Sequence, residues 1–321
     1  MTILITGGAG LIGLYTADRF AAQGEQVVCI DLLERPSHAA YILGVKAKDV
    51  PHLQADVLDF DDLNKIVKDH QVKGIIHAAA VVNENVFLAN PLMGVKVNTI
   101  GTVNMLELAR QHDLRRVVFC SSGTIYGPSA GRPLMEGDEN PKGFYAETKS
   151  ISERLMGQYR EKYSTNSVSA RISSVYGPGK TWNVDHYPMQ KLCFHALKGE
   201  KFEMAVGGDY VRDFTYGSDA ALGIALAYGK EKLAHTTYNI AVGKLFSVAE
   251  VGDILNSILP GAALTVGSGG FEGNMALAGS LRGALDITRA RDDLGFKPEF
   301  DLEKGLGAYI QYLQAHPEIM T

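Results

Sequence analysis

Cysteine is scarce in this 321-residue chain. Cys29, Cys120 and Cys193 are its three, all within apolar runs and none in a CxxC pair or at Cys/His ligand spacing. They are expected to be buried, reduced thiols, and no metal site is expected. Basic runs are lacking too. With a formal net charge of -5 and an isoelectric point near 6.0, no nucleic-acid partner held through phosphates is expected. No apolar stretch approaches the length of a membrane span, and the chain opens on the strand-like TILIT rather than on a charged leader with a long apolar segment. A cytoplasmic protein without a membrane partner is the expectation. Internal repeats and low-complexity tracts are absent, and no glycine loop ends in the Gly-Lys-Ser/Thr of a P-loop nucleotidase.

Hydrophobic residues make up 46% of the chain, enough for one large core or a main core and a smaller one. In the first half, short apolar runs (TILIT, QVVCID, HLQADV, KGIIHAAA, RRVVFCSS, SVSARISSVYG) alternate with helix-length amphipathic segments, among them a long one to about Gln111 and FYAETKSISERLMGQYREKY. That cadence reads as an α/β fold: a Rossmann doubly wound parallel sheet covered on both faces. After Gly177 the cadence breaks into Gly, Pro and aromatic residues, as in GPGKTWNVDHYPM, and GSGGFEGNMALAGS reads as loop. The expected division is a dinucleotide-binding domain over 1–171, to which the chain returns at about 213–240, and a smaller C-terminal α/β substrate-binding domain over 172–321. DLEKGLGAYIQYLQAH reads as a closing helix.

TGGAGLIG, residues 6–13, follows a strand and opens a helix. Small residues there permit a tight turn and let backbone approach a pyrophosphate, while the helix N-terminus offers N–H groups and partial positive charge. Glycine turns are common, so the context carries the reading: Asp31 ends the next strand, where it would accept hydrogen bonds from an adenosine ribose and repel a 2′-phosphate. NAD is therefore expected over NADP, with Arg35 as a nearby cation and an ordinary solvated strand end as the plain alternative for Asp31.

Tyr145 and Lys149 stand four apart, but so do Tyr176 and Lys180, Tyr187 and Lys191, and Tyr228 and Lys232. The spacing alone identifies nothing. Oxidising a secondary alcohol requires a base for the hydroxyl proton, and a tyrosine with an ordinary pKa of about 10 becomes one when a nearby ammonium favours its phenolate. Position separates the four pairs. Tyr176 and Lys180 enclose Gly-Pro-Gly, Tyr187 precedes Pro188 in the irregular half, and Tyr228 looks like a solvated helix end before Gly229 and KEK. Only Tyr145 opens a long helix behind the FCSS strand end that carries Ser122.

With these features the chain resembles the extended short-chain dehydrogenase/reductase family, which includes the UDP-glucose 4-epimerases. The resemblance runs in order through TGGAGLIG, CID, ADVLD, HAAA at 77–80, VNTIGTVNML, FCSSGTIYG, YAETK, RISSVYGPG, GGDYVRDFTYGSDAA, TYNIAVG and DDLGFKP. It implies a catalytic set of Ser122, Tyr145 and Lys149, with Lys149 also reaching the nicotinamide ribose. It implies cofactor contacts from Gly7, Gly10, Leu11, Ile12 and Gly13, from Asp31 and Leu32, from Asp56 and Val57 beside the adenine, from Ala78, Ala79 and Ala80, and from Asn98 on the nicotinamide side. Each also has a plain reading, the alanines as a small-residue strand end and Asn98 as a helix polar residue; His77 is taken as structural. The family commonly dimerises through two helices per subunit, here around 90–111 and 145–162, so a homodimer is expected.

Family dehydratases carry Asp-Glu directly after the catalytic Ser/Thr. Gly123 and Thr124 stand there, which disfavours 4,6-dehydration. An epimerase of a nucleotide sugar and a dehydrogenase of a small sugar acid or hydroxy acid remain; a non-catalytic sensor is remote, because such relatives lose the tyrosine. Arg212 matches the arginine that clamps a nucleotide diphosphate and Arg282 lies near a second such position, although a guanidinium suits phosphate and carboxylate equally and Arg212 could instead pair with Asp213 or Asp209. Ser174 stands where sugar-nucleotide members usually carry Asn. Thr124 and Asn83, with Glu84, are further substrate-side candidates, and Trp182 and His186 are pocket or lid candidates.

Overall fold

The computed structural model describes residues 1–37, 39–43, 49–129, 131–179, 187–270 and 283–320. The first half runs β1 (Thr2–Thr6), α1 (Leu11–Ala22), β2 (Gln26–Asp31), α2 (Ala39–Ile42), β3 (His52–Gln54), α3 (Phe60–Asp69), β4 (Val72–His77), α4 (Glu84–Ala89) and α5 (Pro91–Val95). A π-helical turn at Lys96–Ile100 leads into α6 (Gly101–Gln111), followed by β5 (Arg116–Ser122), a 3-10 turn at Gly123–Tyr126, α7 (Phe144–Tyr163) and β6 (Ser167–Ile172). The remainder comprises β7 (Ser174–Tyr176), α8 (Pro188–Lys198), β8 (Lys201–Met204), β9 (Val211–Arg212), β10 (Phe214–Tyr216), α9 (Gly217–Gly229), β11 (Thr237–Ile240), β12 (Phe246–Ser247), α10 (Val248–Ile258), β13 (Ala263–Val266) and α11 (Leu302–Ala315).

Seven strands form one parallel sheet in the order β11-β6-β5-β4-β1-β2-β3. The strand order reverses between β1 and β4, so their carboxyl ends part and leave a crevice for a ligand. β1, β5 and β6 are buried along their whole lengths, which is why, Arg116 and Arg171 apart, their residues are apolar or small rather than alternating with charged ones. One face packs Ile3, Ile5, Val118 and Ala170 against α1 and α9 through Leu14, Phe20, Ala220 and Ile224. The other face packs Leu4, Ile75 and Val117 against α3 and α6 through Leu63, Met105 and Leu108.

A second core gathers Leu192, Val251, Leu255, Leu306, Tyr309 and Leu313 from α8, α10 and α11 beside the β8/β13 pair. The chain leaves the sheet after β6 and re-enters it at β11, with α9 packed on the sheet between.

Two local expectations change. Tyr228 is no solvated terminus: it is 2% exposed, meets Phe20 edge-on at 5.4 Å between ring centroids, and occupies the space that Gly74 on β4 leaves open. Pro188 does not prolong the irregular chain; it opens α8, as proline does at a first helical position, with Tyr187 at the N-cap position and no side-chain cap. Lys180, Trp182, His186, Arg282 and most of GSGGFEGNMALAGS lie outside the described residues.

Candidate active site

The crevice between the carboxyl ends of β1 and β4 opens into a cleft of about 980 Å³. Gly7, Gly10, Leu11, Ile12 and Gly13 form its floor, with Asp31 and Leu32 at one end, Asp56 and Val57 beside them, and Ala78, Ala79 and Ala80 along the β4 side. Gly7 has φ +71, and a Cβ there would fall 2.7 Å from the Ala79 nitrogen; a Cβ on Gly13 would fall 2.1 Å from the Gly7 oxygen. Side chains at these positions would close the turn. Helix α1 has no side-chain cap and no acidic residue in its first turn, so its leading N–H groups and positive dipole end face the cleft unmet by any side chain of the helix itself. Asp31 accepts hydrogen bonds from the Ala9 and Leu33 nitrogens at 3.0 and 3.1 Å, which fixes the carboxylate while leaving lone pairs for ribose hydroxyls. Cradle, open helix end and acidic strand tip fit an adenine dinucleotide.

His77 is structural, as expected. Its ring joins Thr6 Oγ1 at 2.7 Å and Thr102 Oγ1 at 3.2 Å, and burial, with Lys149 adding to it, pushes its pKa down to about 3. Thr6 Oγ1 accepts from the Ala79 nitrogen at 3.1 Å, so this neutral pair anchors the alanine wall.

Ser122 ends β5 on the cleft wall and caps the 3-10 turn. Its Oγ accepts hydrogen bonds from the nitrogen and Oγ1 of Thr124 at 3.1 and 3.0 Å. With its lone pairs so used, the Ser122 hydroxyl has its own proton to give, and the Tyr145 hydroxyl is hydrogen-bonded to it. Lys149 differs from the expectation. Its ammonium is buried, donates to the Cys120 carbonyl at 2.7 Å, lies 4.5 Å from the Phe119 ring centroid, and stands 5.8 Å from the centroid of the Tyr145 ring. Desolvation of the Tyr145 hydroxyl outweighs the Ser122 hydrogen bond and pushes the phenol up to about 12. Desolvation also pushes Lys149 down to about 8, against a smaller opposing pull from Cys120 and Glu153. The phenolate is thus not favoured by this arrangement alone, and neither Tyr145 nor Lys149 forms part of the cleft wall.

Glu153, one helical turn past Lys149, binds Arg171 through two nitrogens at 3.0 and 2.5 Å. Arg171 also reaches Glu139 at 2.5 Å, so two carboxylates share one guanidinium and leave negative charge behind Lys149.

On the substrate side, Thr124, Ser174 and Arg212 line the cleft. Arg212 is 9% exposed, lies 4.0 Å from the Tyr210 ring centroid and donates to the Val211 carbonyl at 2.8 Å. Neither anticipated carboxylate pairs with it: Asp213 accepts from the nitrogens of Val242, Gly243 and Leu285, and Asp209 from that of Gly269. Among the described residues Arg212 has no ion pair. Asn83 is not on the cleft wall; it caps α4 by accepting from the Asn85 nitrogen at 2.9 Å. Asn98 is buried behind the wall, where its amide holds both backbone groups of Val81, at 2.8 and 2.9 Å, and donates to Thr148 Oγ1 at 3.0 Å. Leu134, Leu245 and Leu285 also line the cleft; no motif marks them, and Leu134 and Leu285 meet through a bridge and a small buried cluster between distant segments.

The model of the NAD dependent epimerase/dehydratase family matches residues 3–241. The chain belongs to that family of enzymes. A UDP-glucose 4-epimerase of Halalkalibacterium halodurans is 31% identical over 276 residues, 80% of each chain. The UDP-glucuronic acid decarboxylase 1 of Xenopus tropicalis is 27% identical over 98% of this chain and 73% of its own length. The solved structure of the Thermus thermophilus UDP-glucose 4-epimerase in complex with NAD superposes with a TM-score of 0.81 at 24% identity, covering 98% of this chain and 100% of that one. It shares the fold, and the relatives span more than one reaction.

Proposed function

We propose that this chain binds NAD and oxidises a secondary alcohol of an anionic sugar, and that the net reaction is 4-epimerisation of a UDP-glucose-like nucleotide sugar. The observation that carries this reading is that one cleft is lined by the dinucleotide cradle, by Ser122 and by a buried Arg212 that has no ion pair among the described residues. A buried guanidinium is costly unless an anion completes it. The two relatives described above carry names that state UDP-sugar substrates.

In this reading Gly7–Gly13 and the α1 N-terminus hold the pyrophosphate, Asp31 the adenosine ribose, and Arg212 the substrate anion, with Arg282 as a second candidate outside the described residues. Bound NAD supplies the acceptor for the hydride that leaves the carbinol carbon. Ser122 donates a hydrogen bond to the substrate oxygen, Tyr145 takes the hydroxyl proton and later returns it, and Lys149 is the cation beside it, 5.8 Å from its ring centroid, whose charge would offset the phenolate's once NAD and substrate fill the cleft. A second reading, a dehydrogenase of a sugar acid, draws support from Ser174, whose short hydroxyl lines the cleft at the position where sugar-nucleotide members usually carry asparagine. Incubation with NAD and either UDP-glucose or a hexuronate, followed by NADH absorbance and product analysis, separates the two. Stoichiometric NADH overturns epimerisation as the net reaction, and product isomer without NADH overturns the dehydrogenase.

The division into a cofactor domain over 1–171 and a substrate domain over 172–321 is part of the same proposal, as are a cytoplasmic location and a homodimer. Leu88, Leu92, Ile100 and Tyr163 are exposed on or beside α4–α7, which supports helix-to-helix pairing with a second copy. Sedimentation at dilute concentration tests it, a monomer being the adverse result. Among the described residues no helix is long and apolar enough to cross a membrane.

A further inference from the structure

Helix α7 begins without a cap of its own. Gly143, at its N-cap position, has φ +85 and no side chain to offer. The missing acceptor comes instead from a residue 60 positions earlier: the Glu84 carboxylate accepts from the Phe144 nitrogen at 2.8 Å and from the Tyr145 nitrogen at 3.3 Å. A Cβ on residue 143 would lie 3.0 Å from Glu84 Oε1, so glycine makes room for this carboxylate. Phe87 and Phe144 stack beside it with centroids 5.9 Å apart and planes 3° from parallel.

The opposite backbone group of Tyr145 is held as well. Its carbonyl accepts from Thr148 Oγ1 at 2.8 Å, and Thr148 Oγ1 accepts in turn from Asn98, whose amide also holds Val81. Val81 and Val82 line the cleft directly after the alanine wall. The segment 81–84 is therefore fastened to the first turn of α7 at two points, directly at the Tyr145 nitrogen and through Asn98 and Thr148 at the Tyr145 carbonyl. First turns of helices are where amides lack partners and fraying begins. Here that turn carries the proposed proton acceptor.

We propose that Glu84 is a positioning residue for the oxidation, locking the first turn of α7 so that the Tyr145 hydroxyl stays against Ser122. This rests on the reading of Tyr145 as the proton acceptor. The conservative variant Glu84→Gln keeps an acceptor oxygen for the shorter hydrogen bond, whereas Glu84→Ala keeps none.

The test uses the full chain labelled with 3-fluorotyrosine, which replaces all 14 tyrosines; the Tyr145 resonance is the one lost in Tyr145→Phe. In Glu84→Ala that resonance is expected to move or split while the others stay, NAD affinity is unchanged, and Glu84→Gln restores a single resonance. Should Glu84→Ala not yield folded protein, Glu84→Asp, one methylene short, is read the same way. An unmoved Tyr145 resonance overturns the proposal, and so does a shift spread over most resonances, which marks a general loss of packing. Turnover is measured with UDP-glucose and with a hexuronate, using whichever the unaltered chain converts. Glu84→Ala should lower kcat by about ten- to a hundredfold, as a displacement near 1 Å does, with KM within about twofold and kcat recovered in Glu84→Gln. Unchanged kcat in Glu84→Ala overturns the proposal. If the unaltered chain converts neither substrate, the substrate reading fails and the resonance alone decides the role of Glu84.

Discussion

The ammonium of Lys149 donates to the carbonyl of Cys120 at 2.7 Å, so the charge of the proposed catalytic lysine is held against the sheet. Its burial pushes the pKa down from 10.5 to about 8. Between those values the unfolded chain binds a proton that the folded chain does not, so this group makes stability rise with pH from about 8 to about 10.5. Lys149→Met removes a buried charge. It should stabilise the fold at neutral pH by roughly 1–3 kcal/mol, flatten that rise, and abolish turnover. Urea unfolding on either side of the window measures both effects, and a destabilised Lys149→Met at neutral pH would count against the account of its burial. Glu153→Gln should move Lys149 further down, because the carboxylate one turn away favours the ammonium.

Tyr145→Phe should lower turnover by about 10²- to 10⁴-fold, the usual range for losing a general acid–base group. NAD affinity should hardly change, since the cradle residues are untouched. Calorimetric titration with NAD and steady-state rates decide the matter together. Full activity in the variant removes Tyr145 from the mechanism.

Arg212→Met replaces a guanidinium that has no ion pair among the described residues. Losing a charge-assisted contact worth about 1.5–3 kcal/mol should raise the substrate KM by about ten- to a hundredfold. The thermal midpoint of the free chain should hold or rise, because no carboxylate among the described residues is orphaned. A fallen midpoint with unaltered KM points to a structural arginine instead.

Asp31→Ala withdraws the acceptor from the Ala9 nitrogen and from the proposed ribose site. NAD should bind about tenfold or more weakly, and the preference over NADP should shrink or invert, because the negative charge that repels a 2′-phosphate is gone. Parallel titrations with the two dinucleotides measure the ratio. An unchanged ratio would place cofactor choice elsewhere on the wall.

What the sequence disclosed follows how local the cause is. TGGAGLIG and Asp31 sit at the ends of consecutive elements, so their placement on one crevice follows from strand, turn and helix alone. Helix α7 spans the FYAETKSISERLMGQYREKY segment read for it, since its pattern and flanking breaks are contiguous. Tyr228 was misread because the space that swallows it is made by Gly74, on a strand more than 150 residues earlier. Leu134 and Leu285 were invisible for a similar reason: they become cleft wall through a small cluster with Tyr126 and Ala241, residues distant in the chain. The direction of the Lys149 ammonium could not be read from an i, i+4 spacing, because its partner is a backbone carbonyl on β5.

The seventh strand has a consequence for how the chain is made. β11 completes the sheet by hydrogen bonding to β6, yet about 65 residues separate the two, and the segment between them contributes α8 and α9. While a ribosome has delivered only the first 171 residues, the outer edge of β6 is an unpaired parallel strand of wholly buried character, a template for pairing with another nascent chain. A fragment ending there should aggregate, whereas one extended past Ile240 carries its own edge cover.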